Sequence, residues 1–148
     1  MPTFPRPATR AGLSTIDFVY QLISGPNTYP ASDTIVSNVI DVRDLAHVHI
    51  LALSAPPHPK GTQKRLLVQS EQFTWPEAAD LLRKERPELA SRLPPKEKDS
   101  EAPAMTKAPM DTRLSKEVLG DLKFITWQES ILASIDAAVA WEKGGVKA

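Results

Sequence analysis

The stretch NVIDVRDLAHVHILAL, Asn38 to Leu53, passes from a short apolar run into a helical pattern with no loop between them. Asn38 to Val42 is rich in β-branched residues and reads as a strand. From about Asp44 to Ser54, the residues Leu45, Val48, Ile50, Leu51 and Leu53 spread apolar groups around most of a helix. Such a helix is expected to be covered on more than one side. Asp41 and Asp44 fall where it begins. Carboxylates there accept hydrogen bonds from free backbone N–H groups and suit the positive end of the helix dipole. Both are therefore read as structural helix caps rather than as an acid–base pair, with Arg43 expected to pair with a carboxylate.

Upstream, residues 1–13 carry prolines and arginines without a period and form an irregular lead-in. Ile16, Val19, Tyr20 and Ile23 then repeat on one helical face, with Ser14 or Thr15 as the cap and Gly25-Pro26 as the stop. Downstream, Leu66-Leu67-Val68 is an unbroken apolar run, the pattern of a strand buried on both faces in a parallel sheet. Thr74-Trp75-Pro76-Glu77 has the spacing of a capping box and opens a helix that carries Ala78, Leu81 and Leu82 inward. One or two further helical turns are expected over Pro87 to Leu93. Residues 94–111 are polar, proline-rich and without period, and are expected to be a mobile loop. A short helix follows from Thr112 to Leu119. A second box at Thr126–Glu129 starts the last helix, with Ile131, Ile135, Ala138 and Val139 as its buried stripe. Residues 144–148 form a tail.

Composition excludes several classes. Eighteen basic and eighteen acidic side chains cancel, so no net field draws in nucleic acid or an anionic membrane. Zero cysteines exclude a disulfide framework and a thiolate metal site. No apolar run reaches the roughly 20 residues that span a bilayer, and a cytoplasmic location is expected. His47 and His49 lie two apart on a helix, so they point about 200° apart and share no ion there. No metal site is expected.

The order of segments is specific. "LISG", "NVIDV", "RDLAHVHILAL", "GTQKRLLVQS" and "FTWPEAADLLRKERPELASRLPP" are followed by "TRLSKEVLGDLKF" and "ITWQESILASIDAAVAWE". From about Leu13 to Trp141 the chain resembles the C-terminal, substrate-binding half of extended short-chain dehydrogenases/reductases. Within that group it is similar to the NAD-dependent epimerase/dehydratase family, and there to dihydroflavonol-, cinnamoyl-CoA- and methylglyoxal-reductase-like members. The resemblance implies an α/β fold: a mainly helical C-terminal portion of a Rossmann-type enzyme, with few short strands and without the nucleotide-binding half. It also implies one substrate-binding-type domain over residues 14–143.

Members of that family bind NAD(P) at a GxxGxxG turn and use a Tyr-x-x-x-Lys pair, in which the lysine lowers the tyrosine's pKa. No two of the six glycines have that spacing, and neither Tyr20 nor Tyr29 has its lysine. No catalytic or cofactor residue is therefore carried over, and a truncated oxidoreductase-like chain, inactive alone, is expected. NAD(P) is implied only for a complete member. Tyr20, Tyr29 and Met105 are the candidates for lining a pocket for a small carbonyl or alcohol substrate. The alternative is a non-catalytic interaction module that uses exposed strand and helix faces, with self-association or an intact homologue as partner.

Overall fold

The computed structural model describes residues 9–13, 15–25, 27–30, 38–56, 65–104 and 109–144. The elements run from a 3-10 helix at Arg10–Leu13 to α1 (Ile16–Ser24), β1 (Asn38–Val39), α2 (Val42–Ser54) and β2 (Glu71–Gln72). They continue with α3 (Trp75–Glu85), 3-10 helices at Pro87–Arg92 and Lys96–Glu101, α4 (Arg113–Leu119) and α5 (Trp127–Lys143). The described residues are mainly helical with two very short strands. None of the described helices is long and apolar enough to cross a membrane.

The strands depart from the parallel arrangement that Leu66-Leu67-Val68 suggested. β1 and β2 pair antiparallel, with Asn38 opposite Gln72 and Val39 opposite Glu71. Residues 65–70 belong to no strand, and Leu67 is 41% exposed. An apolar run becomes a buried strand only where neighbours pair on both its edges. Among the described residues, its one backbone bond into the sheet region is Ser70 N–H donating to the Val39 carbonyl, at 2.8 Å. Residues 94–111 also differ from a bare loop, since residues 96–101 are a 3-10 helix and Pro94 is fully buried.

The helices divide between two compact units. The first comprises residues 1–33, 74–104 and 131–148 and the second residues 34–73 and 105–130. In the first, α1 and α3 both pack on the Pro87–Arg92 helix. Leu22, Ala78, Ala79, Leu82 and Ile135 have no exposed surface there, and Trp75 has almost none. Ala79 rather than Leu81 faces inward on α3, and Val139 on α5 is only half-buried. α3 is the best-defined start. The Thr74 N–H donates to Glu77 Oε2 at 2.7 Å while the Glu77 N–H donates to Thr74 Oγ1, so two end donors are satisfied reciprocally. Thr15 makes no such bond at the head of α1, and Ser14 lies outside the described residues.

In the second unit, α2 packs on α4. α2 begins at Val42, two residues before the sequence pattern suggested. Only Val48 is buried on it, whereas Val42, Ile50 and Leu53 are 74%, 64% and 88% exposed. The covering expected on several sides of α2 is therefore absent from the described residues. Positions 42, 46, 49, 50 and 53 fall on one helical face, so that open side forms a continuous stripe.

Candidate functional site

Asp41 is the N-cap of α2: its Oδ1 accepts from the Arg43 N–H at 2.9 Å. The same carboxylate takes both the Nε and Nη2 of Arg43, each at 2.8 Å, and the hydroxyl of Ser130 at 2.8 Å. Asp41 is buried. The Arg43 hydrogen bonds hold its carboxyl far below the usual carboxylate range, with the Ser130 hydroxyl pulling the same way. Asp44, in the first turn, serves a different end. Its Oδ2 accepts from the Ile125 N–H at 2.7 Å, so it fastens the segment before α5 rather than its own helix. Near the same segment, Trp127 stacks on Phe73 at 5.5 Å and donates its backbone N–H to Glu71.

The two tyrosines lie in the first unit, each buried and each donating to a carboxylate. Tyr20 Oη gives its proton to Glu142 at 2.7 Å, and Trp141 meets the Tyr20 ring edge-on at 5.8 Å. Arg92 grips the same Glu142 through both terminal nitrogens and donates its Nε to the Ile23 carbonyl. Tyr29 Oη donates to Asp99 at 2.6 Å, and Lys96 bridges Asp99 and Asp80. Arg83, which also donates to Asp80, reaches the Pro94 carbonyl. Burial first, and the carboxylate partner second, push both phenols up to about 12. That direction is opposite to the one a proton-donating tyrosine needs near neutral pH. These groups are suited to locking helices together. Sequence reasoning picked out the tyrosines but not Glu142, Arg92, Asp99 or Arg83, whose spacing along the chain carries no local signal.

A small cavity lies in the second unit, lined by Leu67, Val68 and Gln69 on one side and by α4 with the following turn on the other. Neither Tyr20 nor Tyr29 lines it, and Met105 lies outside the described residues. Among the described residues no group of three His, Asp or Glu side chains is placed to hold a metal. The starts of α2, α3 and α5 do not fit a dinucleotide either. Asp41 occupies that of α2, Thr74 and Glu77 that of α3, and Thr126 and Glu129 that of α5. A pyrophosphate needs those N–H groups free and a glycine to let it approach.

Over most of its length the chain resembles part of known NADPH-dependent reductases, in sequence and in fold. It is 35% identical, over 113 residues and 74% of its length, to a protein named as the NADPH-dependent methylglyoxal reductase Grp2 of Candida albicans. That match covers 32% of Grp2, so the chain spans about a third of the relative's length. The crystal structure of yeast methylglyoxal/isovaleraldehyde reductase Gre2 with NADPH aligns over 86% of the chain and 36% of Gre2, at a TM-score of 0.61 and 24% identity. A solved SsCR variant aligns at a TM-score of 0.58 and 23% identity, over 85% of this chain and 36% of its own. No family model matches the chain.

Proposed function

We propose that the chain supplies the substrate-side portion of an NADPH-dependent reductase of small aldehydes and ketones. Its role is to hold the carbonyl compound against a nicotinamide bound by other, glycine-rich sequence. The observation that carries this reading is the identity to Grp2 along three quarters of the chain, with the same fold in NADPH-bound Gre2. The chain by itself contains neither a GxxGxxG turn nor a Tyr-x-x-x-Lys pair, and the first turns of α2, α3 and α5 are filled by their own side chains. It therefore neither binds NADPH nor transfers hydride alone.

Following NADPH absorbance with the purified chain and methylglyoxal or isovaleraldehyde tests the first half of the proposal, with no turnover expected. Joining the chain to the part of Gre2 that it does not match tests the second half, with turnover expected. Activity of the isolated chain overturns the first half. A folded fusion that binds NADPH and reduces neither aldehyde overturns the second.

A second reading, a non-catalytic interaction module, is favoured by one specific observation. The Val42–Ile50–Leu53 side of α2 is an exposed apolar stripe of the kind that marks protein contact surfaces.

A further inference from the structure

Beyond Asp44, α2 carries no Asp, Glu, Lys or Arg up to its end at Ser54. A helix turned to water normally bears such groups, and one without them is suited to burial. Yet only Val48 is buried on it. Ala46 and His49 join Val42, Ile50 and Leu53 in the stripe that stays exposed. The polar side chain of the stripe turns back on its own helix, His49 donating its Nδ1–H to the Leu45 carbonyl at 2.7 Å. Among the described residues, the large apolar side chains left exposed are Val42, Ile50, Leu53 and Leu67 in the second unit and Phe18 in the first. Unfinished burial is therefore concentrated in the second unit.

The size of the stripe and its lack of charge decide what covers it. A stable contact between separate molecules takes about 20–30 residues from each side. Two freely diffusing copies that meet through these five side chains fall well short of that. A covalently tethered segment needs no such area, because the tether holds it at high local concentration. The missing charge points the same way, since permanently joined surfaces are more apolar than transient ones. The relatives contain further polypeptide of this kind. The chain aligns with 36% of Gre2, so there the same fold shares one molecule with a larger remainder.

We propose that the Val42–Leu53 stripe of α2 is the docking face for the nucleotide-binding portion of a reductase, held to it by covalent linkage. The proposal rests on the reductase reading and adds the place where the two portions meet.

The chain has no cysteine, so one introduced thiol reports on one place. Leu53→Cys replaces a largely exposed side chain, and is made in the isolated chain and in its fusion to the unmatched part of Gre2. Lys84→Cys, at an exposed position of the first unit, is the reference in both. Labelling by iodoacetamide is followed site by site by mass spectrometry. A thiol covered about nine-tenths of the time reacts about tenfold more slowly, because alkylation proceeds through the uncovered population. The fusion is expected to slow labelling at position 53 by about tenfold or more and to leave position 84 unchanged. Val42→Cys repeats the measurement if the Leu53→Cys fusion does not fold. Positions 53 and 42 as reactive in the fusion as in the isolated chain overturn the proposal, whether or not the fusion reduces an aldehyde. Labelling of the isolated chain that slows with rising protein concentration also overturns it, because a second copy then covers the stripe. A fusion that protects position 53 and reduces neither aldehyde sustains the docking face and overturns only the reductase reading.

Discussion

Asp41 is a buried carboxylate that accepts from the Arg43 backbone and guanidinium and from Ser130, and its consequences belong to the scale of one residue. Its folded pKa lies below the ordinary carboxylate value of 3.8. The stability it contributes is therefore fully present above about pH 4 and is lost as pH falls below that. Acid titration followed by tryptophan fluorescence should show Asp41→Asn with a shallower loss of stability below pH 4 than the parent. At pH 7 Asp41→Ala, which removes the cap altogether, should be less stable by about 1–2 kcal/mol. Tyr20 gives the opposite sign. Its pKa rises from 10.0 to about 12, so its contribution is complete below pH 10 and is lost as pH rises between those values. Ultraviolet titration of tyrosinate should find almost none at pH 10. Tyr20→Phe should reduce the loss of stability between pH 10 and pH 12, because it removes a phenol that must ionise against Glu142.

At the scale of elements, the difference between local and remote signals explains what the sequence discloses. Thr74 and Glu77 cap α3 through atoms three residues apart, so four consecutive letters specify the contact. The apolar spacing on α5 is equally local, and Ile131, Ile135 and Ala138 are buried as that spacing requires. β2 was illegible because Glu71 and Gln72 carry no apolar alternation, and their partners Asn38 and Val39 lie more than thirty positions away. Leu66-Leu67-Val68 misled for the same reason, since a run says that a strand is affordable and not that a neighbour is present. The site was less legible still. Tyr20 and Tyr29 are conspicuous as letters, but their partners Glu142 and Asp99 stand 122 and 70 positions further on. The local cap also has a measurable size. Thr74→Ala removes the hydroxyl from a box built on two backbone bonds and should cost about 1 kcal/mol. A thermal melt should show that as a fall of about 3–4 °C for a chain of this length.

At the scale of the whole molecule, exposure of apolar surface links stability to association. Val42, Ile50 and Leu53 gain little from folding because they stay largely in water. Replacing Ile50 and Leu53 by lysine should therefore leave the melting midpoint of the isolated chain nearly unchanged, within the ±0.5 kcal/mol typical of surface changes. If α2 is a contact surface, the same double variant should lose whatever self-association sedimentation detects in the parent, or its binding to the unmatched part of Gre2. A large drop in the midpoint would mean instead that the stripe is buried in the folded chain. NADPH supplies the complementary measurement, since only a ligand of the native state raises the midpoint, by an amount that grows with its concentration over Kd. With Asp41, Glu77 and Glu129 already at the helix starts, the cofactor should not move the midpoint of this chain. It should raise that of the Gre2 fusion, because the added part comes from a reductase solved in complex with NADPH.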